Sequence, residues 1–138
     1  MMRFSRNRSK YNTRKICVDG IIFDSKDEVK RYYELTFMVK ANEIRELRYH
    51  EQFELIPAQY ETVERYGKNG KRLKDGLKLV EQAAVYTADF TYIDCKTGEK
   101  IVEDVKCKKT KTEAYVLRRK VMYQKYKIKI KEIEYGNN

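Results

Sequence analysis

Apolar residues recur at helical spacing in two parts of the chain. The first runs from about Ser25 to Ala41, and Glu28 follows Ser25 at the spacing of a capping box. The second runs from about Thr112 to Tyr126. The residues predicted to face inward on this second helix are Ala114, Leu117, Val121 and Met122. We therefore expect two amphipathic helices, each with one packed face.

Other stretches have the composition and alternation of β-strands. Lys15 to Phe23 surrounds Asp19-Gly20, a dipeptide that favours a tight hairpin turn. Leu47 to Ile56 is predicted as the first core strand and ends before the single proline. Three further strands are predicted over Ala83–Asp94, Glu99–Lys106 and Lys127–Glu134. A short connection that contains Gly98 makes the first two of these an antiparallel pair.

A glycine- and lysine-rich stretch interrupts the strands between Gln59 and Gln82. Its sequence GKNGKRLKDG predicts a turn or an exposed basic loop between two strand-like pieces. Two interpretations stay open: a variable surface insertion, or a loop that contacts DNA.

The predicted elements follow the order helix, three strands, helix, strand. This order favours an α/β sandwich around one mixed sheet, preceded by an N-terminal hairpin. A chain of 138 residues has the size of one domain, and we assign residues 15–138 to it. Residues 1–14 are basic and polar and are predicted to form an N-terminal arm that is mobile or lies along a phosphate backbone, with a disordered tail without a function as the equal alternative.

Charge narrows the class of partner. The chain has 31 Lys and Arg against 21 Asp and Glu, and its formal net charge of +10 favours nucleic acid through neutralisation of phosphates. A ribosomal-type protein or a merely soluble basic protein would have a similar balance. Charge therefore indicates a partner class and not an activity.

Membrane and zinc proteins are disfavoured by composition. No stretch approaches the roughly 20 apolar residues that span a bilayer, and the N-terminus has no apolar signal-peptide core, so we expect a cytoplasmic protein without membrane contact. The three cysteines include no CxxC pair, and His50 is the one histidine. Neither a disulfide framework nor a zinc site is supported.

Candidate chemistry is concentrated in two neighbouring predicted strands. Asp104 and Lys106 are two residues apart on one strand, so alternation places both side chains on one face. Asp89 lies in the preceding strand, which the hairpin connection brings close. Adjacent carboxylates favour a cation between them, and Mg²⁺ commonly binds through one or two carboxylates, to which the backbone carbonyl of Val105 would add an oxygen. The pattern predicts phosphodiester hydrolysis, with Lys106 orienting water or neutralising phosphate.

The segments ADF around Asp89 and EDVK at Glu103 to Lys106 resemble the motif of the PD-(D/E)XK nuclease superfamily. The wider pattern of FDSKDE, EQFEL, YTADFTY, VEDVK and a Lys/Arg-rich helix is similar to a family of small phage-encoded proteins of that superfamily, like Holliday junction resolvases. This resemblance extends from about Tyr11 to Ile133.

The resemblance implies an αβββαβ core with a central mixed four-stranded sheet flanked by helices. It also implies DNA cleavage with Mg²⁺, for which Mn²⁺ would substitute, and the cytoplasm of a bacterial host as the location. Glu28 occupies the position of a first-helix acid that joins the metal site directly or through water, although its simpler role is to cap the helix.

Two further residues are weaker candidates for the site. Glu103 should face away from Asp104 by strand alternation, so we expect a surface charge or a residue that supports the metal ligands. A slip of one residue in register would exchange the roles of Glu103 and Asp104. Gln52 lies where related nucleases place a polar residue, yet a solvent-facing glutamine is the commoner case.

Basic residues after the motif are candidates for phosphate contacts, with a solvated charge run as the equal alternative. These residues are Lys108, Lys109, Lys111, Arg118, Arg119 and Lys120.

Several functional interpretations stay open at this point. Within nucleases, a structure-selective junction resolvase and a nicking or restriction-type enzyme would use the same acids, and the resolvase would need a homodimer. A catalytically silent DNA- or RNA-binding protein would need the basic surface but not the clustered acids. The resemblance suggests DNA recombination, replication or packaging as the setting.

Overall fold

The computed structural model describes residues 15–107 and 111–136. The predicted N-terminal segment, residues 1–14, lies outside these ranges. So do Lys108 and Lys109, which were predicted to contact phosphate. The described ranges contain two helices and ten strands. The helices are α1 (Lys26–Lys40) and α2 (Glu113–Tyr126). The strands are β1 (Ile16–Val18), β2 (Ile21–Phe23), β3 (Ile44–Tyr49), β4 (Gln52–Ile56), β5 (Gln59–Tyr66), β6 (Arg72–Glu81), β7 (Ala84–Thr87), β8 (Phe90–Asp94), β9 (Lys100–Val105) and β10 (Lys131–Ile133).

Both predicted helices are confirmed, and side-chain caps account for where they begin. The Ser25 hydroxyl accepts a hydrogen bond from the Glu28 N–H at 3.2 Å, and the Thr112 hydroxyl accepts one from the Tyr115 N–H at 3.1 Å. Each cap satisfies an N–H that has no partner inside its helix. In the described ranges, neither helix is long and apolar enough to cross a bilayer.

The predicted N-terminal hairpin is also confirmed. Strands β1 and β2 pair antiparallel, and Asp19 and Gly20 both have positive φ in the turn between them, at 52° and 79°. These are the backbone angles that a two-residue hairpin turn requires.

A mixed four-stranded sheet forms the centre of the fold, in the order β10-β9-β8-β3. Strand β8 pairs antiparallel with both β3 and β9. Strand β10 returns after α2 to pair parallel with β9. The class of fold is therefore α/β, as predicted, with one mixed sheet and two helices.

Two strands that were predicted as continuous are broken, and the breaks lie opposite each other. The predicted strand Leu47–Ile56 divides at His50, where φ is +55°, and the predicted strand Ala83–Asp94 divides at Ala88 and Asp89. Across the break, the His50 N–H donates to the Asp89 carbonyl at 3.3 Å and the Ala88 N–H donates to the Glu51 carbonyl at 2.9 Å. The two paired strands therefore bend together at this point. Strands β3 and β8 join the central sheet, whereas β4 and β7 form a separate pair.

The last predicted strand is shorter than expected. Lys127 adopts a left-handed conformation at φ +57° and closes α2, so that regular pairing with β9 begins at Lys131. A residue in this conformation ends a helix but does not continue into a strand.

The central sheet is covered on both faces. On the α1 side, the core contains Phe23, Tyr32, Leu35, Ile44, Phe90 and Tyr92. On the α2 side, it contains Phe53, Leu55, Tyr86, Ala88, Val102, Tyr115, Met122 and Ile130. The prediction that Ala114 and Leu117 face inward is wrong, because the buried stripe of α2 follows Tyr115 and Met122 and leaves Leu117 63% exposed.

The stretch Gln59–Gln82 forms a long two-stranded ribbon, which we call the arm. Its strands β5 and β6 pair with each other, and the arm packs on no other described strand or helix. The predicted turn between two strand-like pieces is therefore confirmed, although β6 already begins at Arg72, within the stretch predicted as turn or loop.

Candidate active site

A cavity of about 460 Å³ opens beside the bend in the sheet, at the end of β9. It lies between β7, β9 and the start of α2. The charged residues that line it are Asp24, Glu28, Asp89, Asp104, Lys106 and Arg118. Four acidic and two basic residues therefore line the cavity, although the net charge of the whole protein is +10. This concentration of acids sets the cavity apart from the rest of the surface.

Asp89 occupies the bend itself, immediately before β8. Its Oδ2 accepts a hydrogen bond from the Val105 N–H at 2.8 Å, which ties the bend to the end of β9. The Asp89 carboxyl also lies within hydrogen-bonding reach of the Asp104 carboxylate. Burial raises the pKa of Asp89 to about 9, and the neighbouring Asp104 and Glu28 add to the rise. Without a cation, Asp89 therefore holds a proton at neutral pH.

Asp104 is buried on the α2 face of β9, with 4% of its surface exposed. Its Oδ2 accepts a hydrogen bond from the Tyr86 hydroxyl at 2.8 Å. Its Oδ1 lies 3.4 Å from the Lys106 ammonium, which is two residues further along the chain on the same face. The prediction that strand alternation brings Asp104 and Lys106 together is confirmed.

Lys106 is held from two sides. Its Nζ lies 4.2 Å from the centre of the Tyr115 ring, a cation–π contact, in addition to the contact with Asp104. The lysine side chain keeps 21% of its surface exposed. The ammonium group is thus positioned by the protein and still accessible to a molecule in the cavity.

Glu28 combines the two roles considered from the sequence. Its N–H is capped by Ser25, and its Oε2 accepts a hydrogen bond from the Asp24 N–H at 2.7 Å. The same side chain is buried, with 7% of its surface exposed, and lies within hydrogen-bonding reach of Asp89. Burial raises the pKa of Glu28, opposed by the hydrogen bond from Asp24. The residue both orders the start of α1 and belongs to the acidic cluster.

Sequence reasoning missed one acid of the cavity. Asp24 was not among the candidate site residues, yet it lines the cavity beside Glu28. The available signal was its place in FDSKDE, four residues before Glu28. Both acids come to the cavity because the hairpin leads directly into the first turn of α1.

The expectation that Glu103 is a surface charge is wrong. Its side chain is fully buried on the α1 face of β9, opposite to Asp104, as alternation requires. The Arg31 guanidinium donates to both carboxylate oxygens, at 2.6 Å and 2.8 Å, and the Tyr92 hydroxyl donates to Oε2. The hydrogen bonds from Arg31 to Glu103 raise the pKa of Arg31, although burial of the guanidinium lowers it. Glu103 therefore fastens α1 to the sheet, and Arg31 is a structural residue that the sequence did not reveal.

Gln52 is not among the residues that line the cavity. It lies on β4 opposite Thr87, a lining residue, but its own side chain is exposed. This placement fits the simpler alternative of a solvent-facing glutamine.

The predicted phosphate-binding residues fall into two groups. Lys111 and Arg119 are ion-paired with Glu132 at 2.7 Å and 2.6 Å. Burial alone would raise the pKa of Glu132, but hydrogen bonds from these partners and from Tyr115 outweigh it and hold the pKa near 2. Arg118 lines the cavity, and Lys120 lines a second hollow of about 890 Å³ on the other side of α2. Arg118 and Lys120 form no ion pair with any residue in the described ranges.

The arrangement defines a mixed α/β protein with an acidic cavity at one end of its central sheet. The chain belongs to the family described as "Protein of unknown function (DUF1064)", whose model matches residues 8–135. No curated protein and no solved structure matches the chain.

Proposed function

We propose that the protein is a Mg²⁺-dependent DNA endonuclease of the PD-(D/E)XK type, in which Mn²⁺ substitutes for Mg²⁺. The observation that carries the proposal is the pair of carboxyl groups of Asp89 and Asp104, held together beside Lys106 in a cavity of a strongly basic protein. A site that binds phosphate by charge alone has no use for such a pair, because carboxylates repel phosphate.

The donor set suits a hard divalent cation. Asp89 and Asp104 would bind it, the backbone carbonyl of Val105 would add a ligand, and Glu28 would join directly or through water. Within the described ranges, no group of three or more His, Cys, Asp or Glu side chains is already arranged to hold a metal ion. Two carboxylates nevertheless suffice for Mg²⁺ when water and substrate phosphate complete its shell. The raised pKa of Asp89 supports the same assignment, because a bound cation would offset the burial and the neighbouring acids that disfavour its charge.

A bound Mg²⁺ would supply Lewis-acid polarisation of the phosphodiester and a lower pKa for a bound water. The protein's own groups perform the remaining tasks. Tyr86 orients Asp104 through its hydroxyl. Lys106, positioned by Tyr115, places a positive charge where negative charge develops on the phosphate or orients the attacking water. Arg118 at the cavity provides a cation for a phosphate of the bound strand.

The order of elements supports the assignment to this superfamily. Helix α1, strands β3, β8 and β9, helix α2 and strand β10 follow one another as αβββαβ around the mixed sheet. Asp89 immediately precedes β8, Asp104 lies on the adjacent strand β9, and Lys106 directly follows β9, as in the acid, spacer, acid-x-Lys pattern. The separate pairs β4–β7 and β5–β6 are inserted between the first and second of these core strands.

One observation favours a second candidate, a catalytically silent nucleic-acid-binding protein. The 3.4 Å contact between Lys106 and Asp104 is an ion pair that a purely structural site would also have. Such a protein would bind DNA or RNA through its basic surface and would not respond to a divalent cation at this cavity.

Cleavage of supercoiled plasmid and of a synthetic four-way junction, with Mg²⁺, Mn²⁺ or EDTA, tests the proposal. We expect cutting with either metal, none in EDTA, and a loss of at least about 100-fold in Asp104→Asn and Lys106→Gln, as for groups that act on the transition state. Asp27→Asn is the matched control, because Asp27 lies on α1 next to Glu28 but does not line the cavity. DNA binding without cutting under any metal would establish the silent binding protein instead. Paired cuts in the junction by a dimer would identify a resolvase.

A further inference from the structure

We propose that the arm, strands β5 and β6 with their connecting turn, binds duplex DNA through the lysines of its tip, Lys68, Lys71 and Lys74. The position of this contact relative to a cut site rests on the proposed nuclease function, whereas the contact with DNA does not.

The arm is exposed along its whole length and unsupported by the rest of the fold. Its two strands pair with each other and pack on no other described element. An isolated two-stranded ribbon is marginally stable in water. Because the core of its own chain does not stabilise this ribbon by packing, its exposed surface is suited to contact another molecule.

Charge is distributed unevenly along the arm. Residues 66–74, which form the tip, contain four cations and no acid, whereas the acids Glu61, Glu64, Asp75 and Glu81 lie outside the tip. Arg72 is occupied by Asp75 at 3.1 Å and by Glu64 at 3.9 Å. The three tip lysines form no ion pair with any described residue. The tip therefore presents three available positive charges to a polyanion.

The shape of the arm suits the groove of a duplex. The major groove is about 12 Å wide and admits a two-stranded β-ribbon. The turn at Gly67–Lys71 is closed by a hydrogen bond from the Gly67 N–H to the Lys71 carbonyl at 2.8 Å, which keeps the tip narrow. The ten residues of β6 extend over roughly 33 Å, about one helical turn of DNA.

The arm emerges next to the candidate active site. It connects β4 to β7, and Val85, Tyr86 and Thr87 of β7 line the cavity. Only Gln82 and Ala83 separate the end of β6 from the start of β7. The base of the arm is therefore adjacent to the cavity, and one DNA molecule that follows the arm from the cavity would make both contacts.

A second copy of the chain is the competing occupant, because Tyr60, Leu77 and Leu79 are 57%, 73% and 46% exposed on one face of the arm. Three side chains offer far less surface than the roughly 800 Å² per partner of a stable interface. A small exposed apolar patch is ordinary for a monomer. Further along the same face, the charged groups of Glu64, Arg72 and Asp75 interrupt it. The small apolar area and the charged groups on this face therefore favour DNA over a second copy of the chain as the partner of the arm.

The test is equilibrium binding of a fluorescent 30-base-pair duplex in EDTA, measured by anisotropy between about 50 and 200 mM salt. In EDTA the readout is independent of cleavage, so failure of the nuclease proposal leaves it intact. The triple variant Lys68→Gln/Lys71→Gln/Lys74→Gln should lower the salt slope by up to about 2.7, or 0.9 for each lost phosphate contact. A fourfold rise in salt then weakens the wild-type protein about 40-fold more than the variant.

A control variant with the same loss of charge separates location from net charge. Lys40→Gln/Arg45→Gln/Lys96→Gln removes three exposed cations near the start of β3 and the end of β8, at the end of the sheet away from the cavity. We expect a small change in slope for this control. Equal slopes for the tip and control variants would overturn the proposal. It would also be overturned if the tip variant bound like wild type while Leu77→Ser converted a sedimenting dimer to a monomer, since the arm would then pair two copies.

Discussion

Replacing Asp89 with asparagine should stabilise the protein in the absence of divalent metal. Asparagine has nearly the same shape, and its oxygen can still accept the hydrogen bond from the Val105 N–H, now made at 2.8 Å. Its NH₂ group can donate to Asp104, which an ionised Asp89 cannot do. The substitution removes a carboxyl group that must take up a proton when the chain folds at neutral pH.

The size of the effect follows from the pKa of Asp89. The pKa rises from 3.8 to about 9 on folding, so at pH 7 the folded protein holds a proton that the unfolded chain releases. At about 1.36 kcal/mol per pH unit, this difference costs about 4 kcal/mol at pH 7 if Asp89 alone carries it. Because Asp104 and Glu28 share the interaction, we expect Asp89→Asn to recover about half, about 2 kcal/mol, or a rise in Tm of about 6–8 °C.

The pH dependence has a defined sign. An acid whose pKa is raised in the folded state binds more protons there than in the unfolded chain, so its unfavourable contribution is absent below pH 3.8 and grows as the pH rises towards 9. Metal-free wild-type protein should therefore lose stability relative to Asp89→Asn across this range.

Metal should reverse the order of stability. A ligand that binds only the folded state adds about 2.7 kcal/mol at one hundred times its Kd, which exceeds the gain of about 2 kcal/mol expected for Asp89→Asn. We expect Mg²⁺ or Mn²⁺ to raise the Tm of the wild-type protein and of the control Asp27→Asn, and to leave Asp89→Asn nearly unchanged. Thermal unfolding at pH 5, 7 and 8.5 with and without metal measures this. The reasoning is refuted if Asp89→Asn is less stable than wild type without metal, or if both respond to metal equally.

Two further predictions concern residues outside the cavity. Arg31→Met leaves Glu103 buried without its cation and should lower the free energy of unfolding, measured in urea, by about 3–5 kcal/mol. The double variant Arg31→Met/Glu103→Leu should recover most of that loss. Equal stability of the two variants would contradict the role given to this pair. Glu132→Gln releases Arg119 and leaves Lys111 with its second partner, Glu134 at 2.9 Å, and should tighten DNA binding at low salt. Because the pKa of Glu132 is lowered to about 2, its stabilising contribution is present above pH 4.5 and lost as the pH falls towards 2, so wild type and Glu132→Gln should converge in stability near pH 2.

The parts of the structure that depend on neighbours in sequence were predictable. Ser25 and Thr112 begin the helices because a hydroxyl three residues before an N–H can cap it wherever the helix lies. Asp19-Gly20 turns the hairpin because of its own backbone preferences. Asp104 and Lys106 share a face because a strand alternates with period two. The central residues of the candidate site could therefore be recognised without coordinates.

The parts that depend on distant residues were not predictable from local pattern. The division at His50 exists because the opposing strand divides at Asp89, about forty residues later, and both halves gain separate pairing partners. The burial of Glu103 depends on Arg31, which α1 brings over the sheet. Lys111 and Arg119 are neutralised by Glu132, which reaches them only because β10 returns beside β9.

By itself, the sequence determined the helices, the hairpin, the basic character of the surface and the acid and lysine on one face of β9, because each follows from residues close together in the chain. Tertiary structure alone decided which acids meet, how strongly burial raises the pKa of Asp89, which cations remain available for phosphate, and that the arm stands apart from the core. The physical reason is that burial and charge pairing are properties of the assembled packing, in which residues far apart in sequence determine each other's surroundings.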